Sequence, residues 1–207
     1  MARGLNVEQI TEAAVAIADE QGLASVSMAT VAKRCGFTTM SLYRHVEGKD
    51  DLMRRMLDSA LGEPPPFDTS QWRAGLAGWA RALLDVLHVH PWGIDVPITG
   101  VLGTNAQLAW LDRGLEALRD TGLAAGDQAE IVLVLNGFVF WSVRLRQSLP
   151  DQPGEAVIPP SFDVSKYPSL SVLVQSGIFE DQTSPEEEFE FGLELLLDGV
   201  AARIAAQ

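Results

Sequence analysis

Hydrophobic residues recur along the chain at helical spacing, and no stretch of any length alternates with the two-residue period of a strand. The first run carries Ile10, Ala14 and Ile17 on one face. It begins after Asn6, a residue suited to capping a helix, and ends near Gly22, a common helix stop. The pattern predicts an all-α protein whose first helix lies close to the N-terminus.

Two short helices are predicted next, at residues 27–35 and 38–46. Gly36 between them falls where a left-handed C-cap is needed, before Phe37 returns to the core. In the second helix only Leu42 and Val46 form an apolar stripe. The rest of its surface consists of Thr39, Met40, Ser41, Tyr43, Arg44 and His45. Such a pair of helices is typical of a helix-turn-helix DNA reader, although a solvated surface helix has the same composition.

A proline-rich segment at residues 62–67, with sequence GEPPPF, interrupts the helix that begins near Lys49. Proline lacks the backbone donor and disfavours helix in the residue before it. The segment predicts a boundary between two domains, residues 1–61 and residues 62–207. The first is a three-helix helix-turn-helix domain, too small to be stable without support from the second.

The second domain contains four long helical patterns, at residues 70–90, 104–121, 128–149 and 185–206. The pattern at 128–149 is apolar nearly all round, so this helix needs cover on two sides. One cover is its own domain, and the other has to come from a partner. The helices around 128–149 and 185–206 are the best candidates for that partner face.

Charge is unevenly distributed. The chain has 15 basic and 28 acidic residues, a net charge of −13. Residues 1–60 have a net charge of −1 and the remainder −12, so the acidity lies in the domain expected to face away from DNA.

The single cysteine, Cys35, excludes an intrachain disulfide and is interpreted as a packing residue rather than a redox sensor. Without a recognisable signal peptide or a run long enough to span a bilayer, we expect a cytoplasmic protein that does not enter membranes.

Residues 5–60 resemble the N-terminal domain of the tetracycline-repressor (TetR) family of bacterial transcriptional regulators. The resemblance rests on Ala13-Ala14, Gly22-Leu23, the segment SMATVA at 27–32, Gly36-Phe37, the segment SLYRHV at 41–46 and Lys49-Asp50-Asp51-Leu52. His90-Pro91-Trp92 and the order of later helices resemble a C-terminal domain of the tetracycline-repressor type. The resemblance implies a ligand-responsive repressor that binds a palindromic double-stranded DNA operator as a homodimer and leaves it when a small-molecule effector binds. It also implies that the helices around 128–149 and 185–206 pair with the same helices of a second copy.

The resemblance also implies roles for individual residues. The groove of DNA would be lined by Thr38, Thr39, Met40 and Ser41. Phosphates would be held by Tyr43, His45, the helix start at Lys49 and Ser27. Arg44 occupies a position where the tetracycline repressor has a bulky aromatic residue, so its role at the DNA is open. Ala29 occupies a position where some relatives carry a base-reading arginine, and we expect that contact to be absent.

Aromatic and polar side chains in the second domain predict a ligand chamber. Its candidate lining is His88, Trp92, Trp110, Asn136, Phe140 and Trp141. The composition favours an apolar or aromatic effector, although each tryptophan could equally be core and Asn136 could serve only a neighbouring backbone group. His88 and His90 are two residues apart and point to different faces of one helix, so neither a metal site nor a cofactor is predicted.

Two other classes of function have less support in the sequence. An enzyme is not expected, because the chain has no phosphate-binding glycine loop, no paired cysteines and no nucleophile elbow. A protein-interaction module that has kept the helix-turn-helix fold without specific DNA binding is the alternative, favoured by the acidic balance and by Ala29.

Overall fold

The computed structural model of the chain describes residues 4–97, 103–148, 162–176 and 184–206, and within those ranges it contains helices and no strand. The helices are α1 (Val7–Gln21), α2 (Met28–Cys35), α3 (Thr39–Leu42), α4 (Lys49–Leu61), α5 (Trp72–Val89), α6 (Asn105–Leu118), α7 (Ala125–Ser148), α8 (Pro168–Gln175) and α9 (Pro185–Ala205). Short 3₁₀ segments lie at Leu23–Ser25, Pro91–Asp95 and Val164–Lys166. The predicted all-α class is confirmed.

Short polar side chains begin the first three helices. Asn6 Oδ1 accepts the N–H of Gln9 at 2.8 Å and starts α1. Ser27 and Thr38 do the same for α2 and α3, which satisfies backbone donors that have no partner inside a helix. Gly36 ends α2 in the left-handed region, with φ of 76°. The turn between α2 and α3 is therefore fixed at both ends by local chemistry.

The third helix is shorter than predicted. It covers Thr39–Leu42 only, rather than residues 38–46, because the backbone tightens after Leu42. The His45 N–H bonds the Leu42 carbonyl at 2.8 Å, three residues back instead of four. This tighter path returns Val46 to the core, where it is 2% exposed. Phe37, expected in the core, remains 43% exposed.

The N-terminal core forms where α2 and α4 pack against α1, with α3 packed on α2. Ile10, Val31, Leu42 and Leu52 are fully buried there. Cys35 is half-buried beside them, with Sγ 3.9 Å from the Gln9 carbonyl oxygen. Burial raises the pKa of the Cys35 thiol, which disfavours the reactive thiolate. The structure thus agrees with a packing role for this cysteine.

The C-terminal core is built from α5, α6, α7 and α9. Trp79 of α5 is 2% exposed and donates its indole N–H to the Trp110 carbonyl oxygen at 2.7 Å. The two indole rings meet edge to face with centroids 6.1 Å apart. Each buried tryptophan therefore fills volume and also satisfies a polar group, which fixes the positions of α5 and α6 relative to each other.

Helices α7 and α9 approach closely at a glycine. A Cβ atom at Gly192 of α9 would lie 2.6 Å from Cε2 of Phe138 of α7. The Phe138 ring stacks on Phe189, with ring centroids 5.1 Å apart. The missing side chain at position 192 is what allows this ring to lie between the two helices.

Hydrogen bonds from side chains join the N-terminal and C-terminal helices. Asp19 of α1 accepts the indole N–H of Trp92 at 2.6 Å and lies 2.8 Å from Nδ1 of His90. Asp58 of α4 accepts the backbone N–H of Ala106 at the start of α6 at 2.8 Å. The contact between the two halves of the chain is therefore polar as well as apolar.

Helices α7 and α8 differ from what the sequence predicted. By length and composition α7 is apolar enough to cross a membrane, contrary to the prediction that no run would be, yet it packs against α5, α6 and α9. Only 22% of its most apolar window is buried within the chain. Helix α8 was not predicted, and none of its residues is buried. Leu149, the predicted end of α7, lies outside the described residues.

Candidate functional site

The polar surface around α3 lies open to solvent. We call Thr38, Thr39, Met40, Ser41, Tyr43, Arg44 and His45, together with Ser27 and Lys49, the DNA-facing surface. Met40 is 73% and Tyr43 52% exposed. Thr38, Arg44 and Lys49 are also exposed, whereas Ser27, Thr39, Ser41 and His45 are half-buried. The nine predicted residues are thus exposed or half-buried, whereas Leu42 and Val46 are buried.

Hydroxyl groups on this surface are held in place by the helix caps. Thr38 Oγ1 accepts the Ser41 N–H at 3.3 Å and lies 3.0 Å from Ser41 Oγ. Ser27 Oγ accepts the Thr30 N–H at 3.1 Å in a reciprocal capping box. Their positions are therefore set before any ligand arrives, as contacts that fix register on DNA require.

Basic side chains near the DNA-facing surface differ in how they are paired. Arg34 forms two hydrogen bonds to Glu20, at 2.7 and 2.6 Å, so its charge is largely compensated. Arg55 is bound to Asp51 at 3.0 Å. We therefore count Lys49 and Arg44, rather than Arg34 or Arg55, as the cations most available to phosphates.

A cavity of about 380 Å³ lies in the C-terminal half, a size typical of small-molecule sites. Helices α4, α5, α6 and α7 and the 3₁₀ segment that follows α5 all contribute to its wall. The lining consists of Arg54, Leu57, Leu61, Trp79, Leu83, Gly93, Val96, Pro97, Gly103, Thr104, Gln107, Trp110, Leu111, Val132, Leu133, Asn136 and Phe140. The wall is mainly apolar and aromatic, with a few polar groups.

Three of the six residues predicted for the chamber, Trp110, Asn136 and Phe140, lie on this wall. His88 is exposed on α5, and Trp141 is 62% exposed on a different side of α7 from Phe140. The reason is helical phase: Asn136 and Phe140 are four residues apart and share a face, whereas adjacent residues are turned by about a quarter of a circle. That phase was available in the sequence.

The sixth predicted residue, Trp92, is 3% exposed but bonded to Asp19 at the contact between the two halves. Sequence reasoning missed Trp79, Thr104, Gln107 and Arg54 as wall residues. Trp79 could have been found from the same aromatic signal as Trp110. The contribution of Arg54 depends on how α4 lies against the second half, which local patterns do not reveal. Among the described residues no group of three or more His, Cys, Asp or Glu side chains could hold a metal ion.

Helix α4 connects the cavity with the DNA-facing surface. Its first residue, Lys49, belongs to that surface, and Arg54, Leu57 and Leu61 line the cavity. The Trp110 indole N–H donates to the last carbonyl groups of α4, with the Leu61 oxygen at 3.3 Å and the Gly62 oxygen at 3.2 Å. A wall residue is thus bonded directly to the helix that leads to the DNA-facing surface.

An exposed apolar surface is formed by α7 and α9. Its most exposed members are Val134 and Trp141 on α7 and Phe191 and Leu195 on α9, each at least 56% exposed. Large exposed apolar side chains on two neighbouring helices are typical of a contact with another protein. The same two helices were predicted from the sequence to pair with a second copy.

A helix-turn-helix domain joined through one helix to a helical domain with a ligand-sized cavity defines a class, the one-component DNA-binding regulators. The family model described as "Bacterial regulatory proteins, tetR family" matches residues 10–56. The model described as "Tetracyclin repressor-like, C-terminal domain" matches residues 64–204. The chain belongs to the TetR family of transcriptional regulators.

Relatives and solved structures agree with this assignment. The transcriptional repressor DrrR1 of Streptomyces coeruleorubidus is 32% identical, covering 97% of this chain and 79% of its own. The class A tetracycline repressor from transposon 1721 of Escherichia coli is 26% identical over 96% of this chain and 92% of its own. ActR of Streptomyces coelicolor in complex with (S)-DNPA is 25% identical, has a TM-score of 0.79 and covers 98% of this chain and 100% of its own. The protein is a ligand-responsive, DNA-binding transcriptional regulator.

Proposed function

We propose that two copies of the chain bind a palindromic operator and repress transcription until a small molecule enters the cavity. The domain of residues 1–61 would bind DNA, and that of residues 62–207 would hold the effector and the partner copy. The observation that carries the proposal is the position of α4, which supplies Lys49 at the DNA-facing surface and Arg54, Leu57 and Leu61 at the cavity.

At the DNA, Thr38, Thr39, Met40 and Ser41 would lie along the major groove, where Met40 suits a thymine methyl group. Tyr43, His45, Lys49 and Ser27 would bind phosphates, which fix register without reading sequence. Arg44 is exposed and cationic and so can bind either a phosphate or a base edge. The exposure of Met40 and Tyr43 and the fixed hydroxyl groups of Thr38 and Ser41 support this division.

The homodimer would form through α7 and α9, giving a four-helix contact with two-fold symmetry. Val134, Trp141, Phe191 and Leu195 would be covered by the second copy. A palindromic operator needs two reading helices about 34 Å apart, so the dimer is part of the recognition mechanism. The protein would act by binding and not by catalysis, and its DNA target would place it in the cytoplasm.

The effector would be an apolar or aromatic molecule bound between Trp110, Phe140 and Asn136. ActR, solved with (S)-DNPA and with actinorhodin, supports a small-molecule ligand in a related protein. Binding would shift α4 and change the separation of the two DNA-binding domains. An effector acts only through different affinities for the two arrangements, so operator and effector must weaken each other's binding to the same extent.

The test is a selection of labelled genomic DNA fragments by the full chain at moderate salt. Recovery of one palindromic motif, with half-sites one helical turn apart, is the expected result. No enrichment of any motif would contradict the proposal and favour a protein-interaction module that retains the helix-turn-helix fold. Fragments bound by a chain that stays monomeric at working concentration would contradict the dimeric part alone.

A further inference from the structure

The cavity wall carries one charged residue among those the structure describes, and that residue is Arg54. The C-terminal part of the chain, which forms most of the wall, is strongly acidic, with a net charge of −12 over residues 61–207. None of those carboxylates belongs to the described wall. At the described wall, a cationic ligand would therefore meet the like charge of the guanidinium group and no opposite charge. An anionic ligand would meet an opposite charge and no like charge.

Arg54 is only loosely engaged within the protein. Its Nη2 lies 3.6 Å from Asp51 Oδ1, beyond hydrogen-bonding distance. The other oxygen of Asp51 is bound by Arg55 Nε at 3.0 Å and by the Glu47 N–H at 3.1 Å. Asp51 therefore keeps its strong partners if Arg54 turns toward a ligand, and the guanidinium fork matches a carboxylate with two parallel hydrogen bonds.

The polar groups of α6 on the wall also favour a ligand rich in acceptors. Gln107 Oε1 already accepts the Gly103 N–H at 2.9 Å, so this side chain has its amide hydrogens to offer. Thr104 Oγ1 accepts the Gln107 N–H at 3.2 Å and has its hydroxyl hydrogen to offer. The N-terminus of α6 adds no donor for the ligand at Ala106, because the Ala106 N–H already donates to Asp58.

The apolar part of the wall fits the remainder of such a ligand. Trp79, Trp110 and Phe140 supply aromatic surface, and about 380 Å³ accommodates more than one ring. We propose that the effector is an aromatic acid, and that Arg54 binds its carboxylate or other acidic oxygen while the three aromatic residues enclose its rings. The inference rests on the proposed function, since it identifies the ligand class of that same cavity.

Arg54 also gives the acid a mechanical role. It lies in the middle of α4, five residues after Lys49 of the DNA-facing surface. An acidic group bound by Arg54 therefore contacts the helix that positions the DNA-binding domain, and not only the walls behind it. An aromatic ligand without the acid would fill the cavity but lack this contact with α4, so it would bind more weakly and release the operator less effectively.

The test compares acids with neutral analogues of the same shape. Calorimetry on the full chain would measure the affinities of benzoate, naphthoate and anthracenecarboxylate, each against its amide, and of a naphthylmethylammonium cation. We expect the best acid to bind about tenfold or more tightly than its amide, as a charge-assisted hydrogen-bonded pair allows. Arg54→Gln should bring that ratio close to one, while Arg119→Gln, the same change at an exposed arginine outside the described wall, should preserve it.

Several results would overturn the inference. These are an amide or the cation binding as tightly as the acid, an acid preference that survives Arg54→Gln, or no binding of any acid to a chain that still binds operator DNA. None of these results contradicts the DNA-binding part of the proposed function, so failure of this inference can be distinguished from failure of that function. Retained amide binding by Arg54→Gln would show that its cavity is intact. If that variant does not fold, Arg54→Lys is the second test, because it keeps the charge but loses the guanidinium fork. It should lower the ratio of acid to amide affinity while leaving it above one. An unchanged ratio would count against the bidentate contact.

Discussion

The carboxylate of Asp58 accepts a hydrogen bond of 2.8 Å from the backbone N–H of Ala106. Asp58 belongs to α4 in the N-terminal half, and Ala106 lies in the first turn of α6 in the C-terminal half. The negative side chain thus caps a helix of the other half, where its charge is also favourable to the helix dipole. In the proposed mechanism, a movement of α6 on effector binding would be passed to α4 at this point.

Replacing Asp58 by alanine should destabilise the protein by about 1 kcal/mol, because it leaves the Ala106 N–H without its partner. Urea denaturation of the variant and the wild type measures the difference. Asp58→Asn retains an acceptor oxygen and should cost less. Equal unfolding free energies for wild type and Asp58→Ala would mean that the bond adds nothing to the contact between the halves.

Substitutions in the DNA-facing surface should separate into two kinds. Tyr43→Phe combined with Lys49→Ala should weaken binding to all sequences similarly, because phosphate contacts carry no sequence information. Thr39→Ala or Met40→Ala should change the preferred base, by about 1 to 3 kcal/mol for each lost base contact. Repeating the DNA selection with each variant measures both effects. An unchanged motif for Thr39→Ala and Met40→Ala would place base reading elsewhere.

A charge on the α7 and α9 surface should separate the dimer. Trp141→Asp or Leu195→Asp would bury a carboxylate against apolar side chains of the second copy, which is costly. We expect the dissociation constant of the dimer to rise about a hundredfold or more, with loss of operator binding. Sedimentation velocity measures this. Val172→Asp, an equally apolar and exposed position on α8, is the control and should leave the dimer intact.

The bonds from His90 and Trp92 to Asp19 should couple the unfolding of the two halves. Asp19→Ala removes both and should lower the unfolding free energy by about 1 to 3 kcal/mol, because a buried indole N–H loses its acceptor. Calorimetric unfolding should then broaden or split into two transitions. The neighbouring Glu20→Ala removes an ion pair within the first half, with Arg34, and should leave one sharp transition. A transition in Asp19→Ala that stays single and as sharp as that of the wild type would contradict the coupling.

Asp51 should contribute to acid unfolding. Burial by itself raises the pKa of this carboxyl, but hydrogen bonds from Arg55 and the Glu47 N–H outweigh burial and hold its pKa below the usual 3.8. A lowered pKa in the folded state stabilises fully above the pKa of the unfolded chain, and that stability is lost as pH falls through the folded value. Asp51→Asn should therefore cost about 1 to 2 kcal/mol at neutral pH and progressively less as the pH falls below 3.8. Urea denaturation over this pH range checks the prediction, and a cost that does not change with pH would contradict it.

Features fixed by neighbouring residues were predictable from the sequence. The cap at Asn6 and the left-handed Gly36 depend on a few adjacent positions, and the structure has them where they were expected. The end of α3 was not predictable in this way, because the backbone tightens to bring Val46 into a core made by distant helices. Local propensity gave no sign of that demand.

The ligand wall was predictable only in part for a similar reason. Trp110 and Phe140 differ little in composition from Trp92 and Trp141, and what separates them is the direction each one faces in the assembled fold. For Trp141 the helical phase relative to Asn136 could have given the answer. For Trp92 the deciding fact is the carboxylate of Asp19, more than seventy residues earlier in the chain, which only the folded structure brings beside it.

The close approach at Gly192 has a consequence for how such regulators diversify. Phe138 occupies the room that a side chain at position 192 would need, so an added methyl group would force this ring to turn or α9 to move away from α7. In the proposed assembly those helices carry the partner copy, and their tilt sets how widely the two DNA-binding domains are spread. A change at a glycine that touches neither nucleic acid nor effector could thus select operators with a different spacer between half-sites.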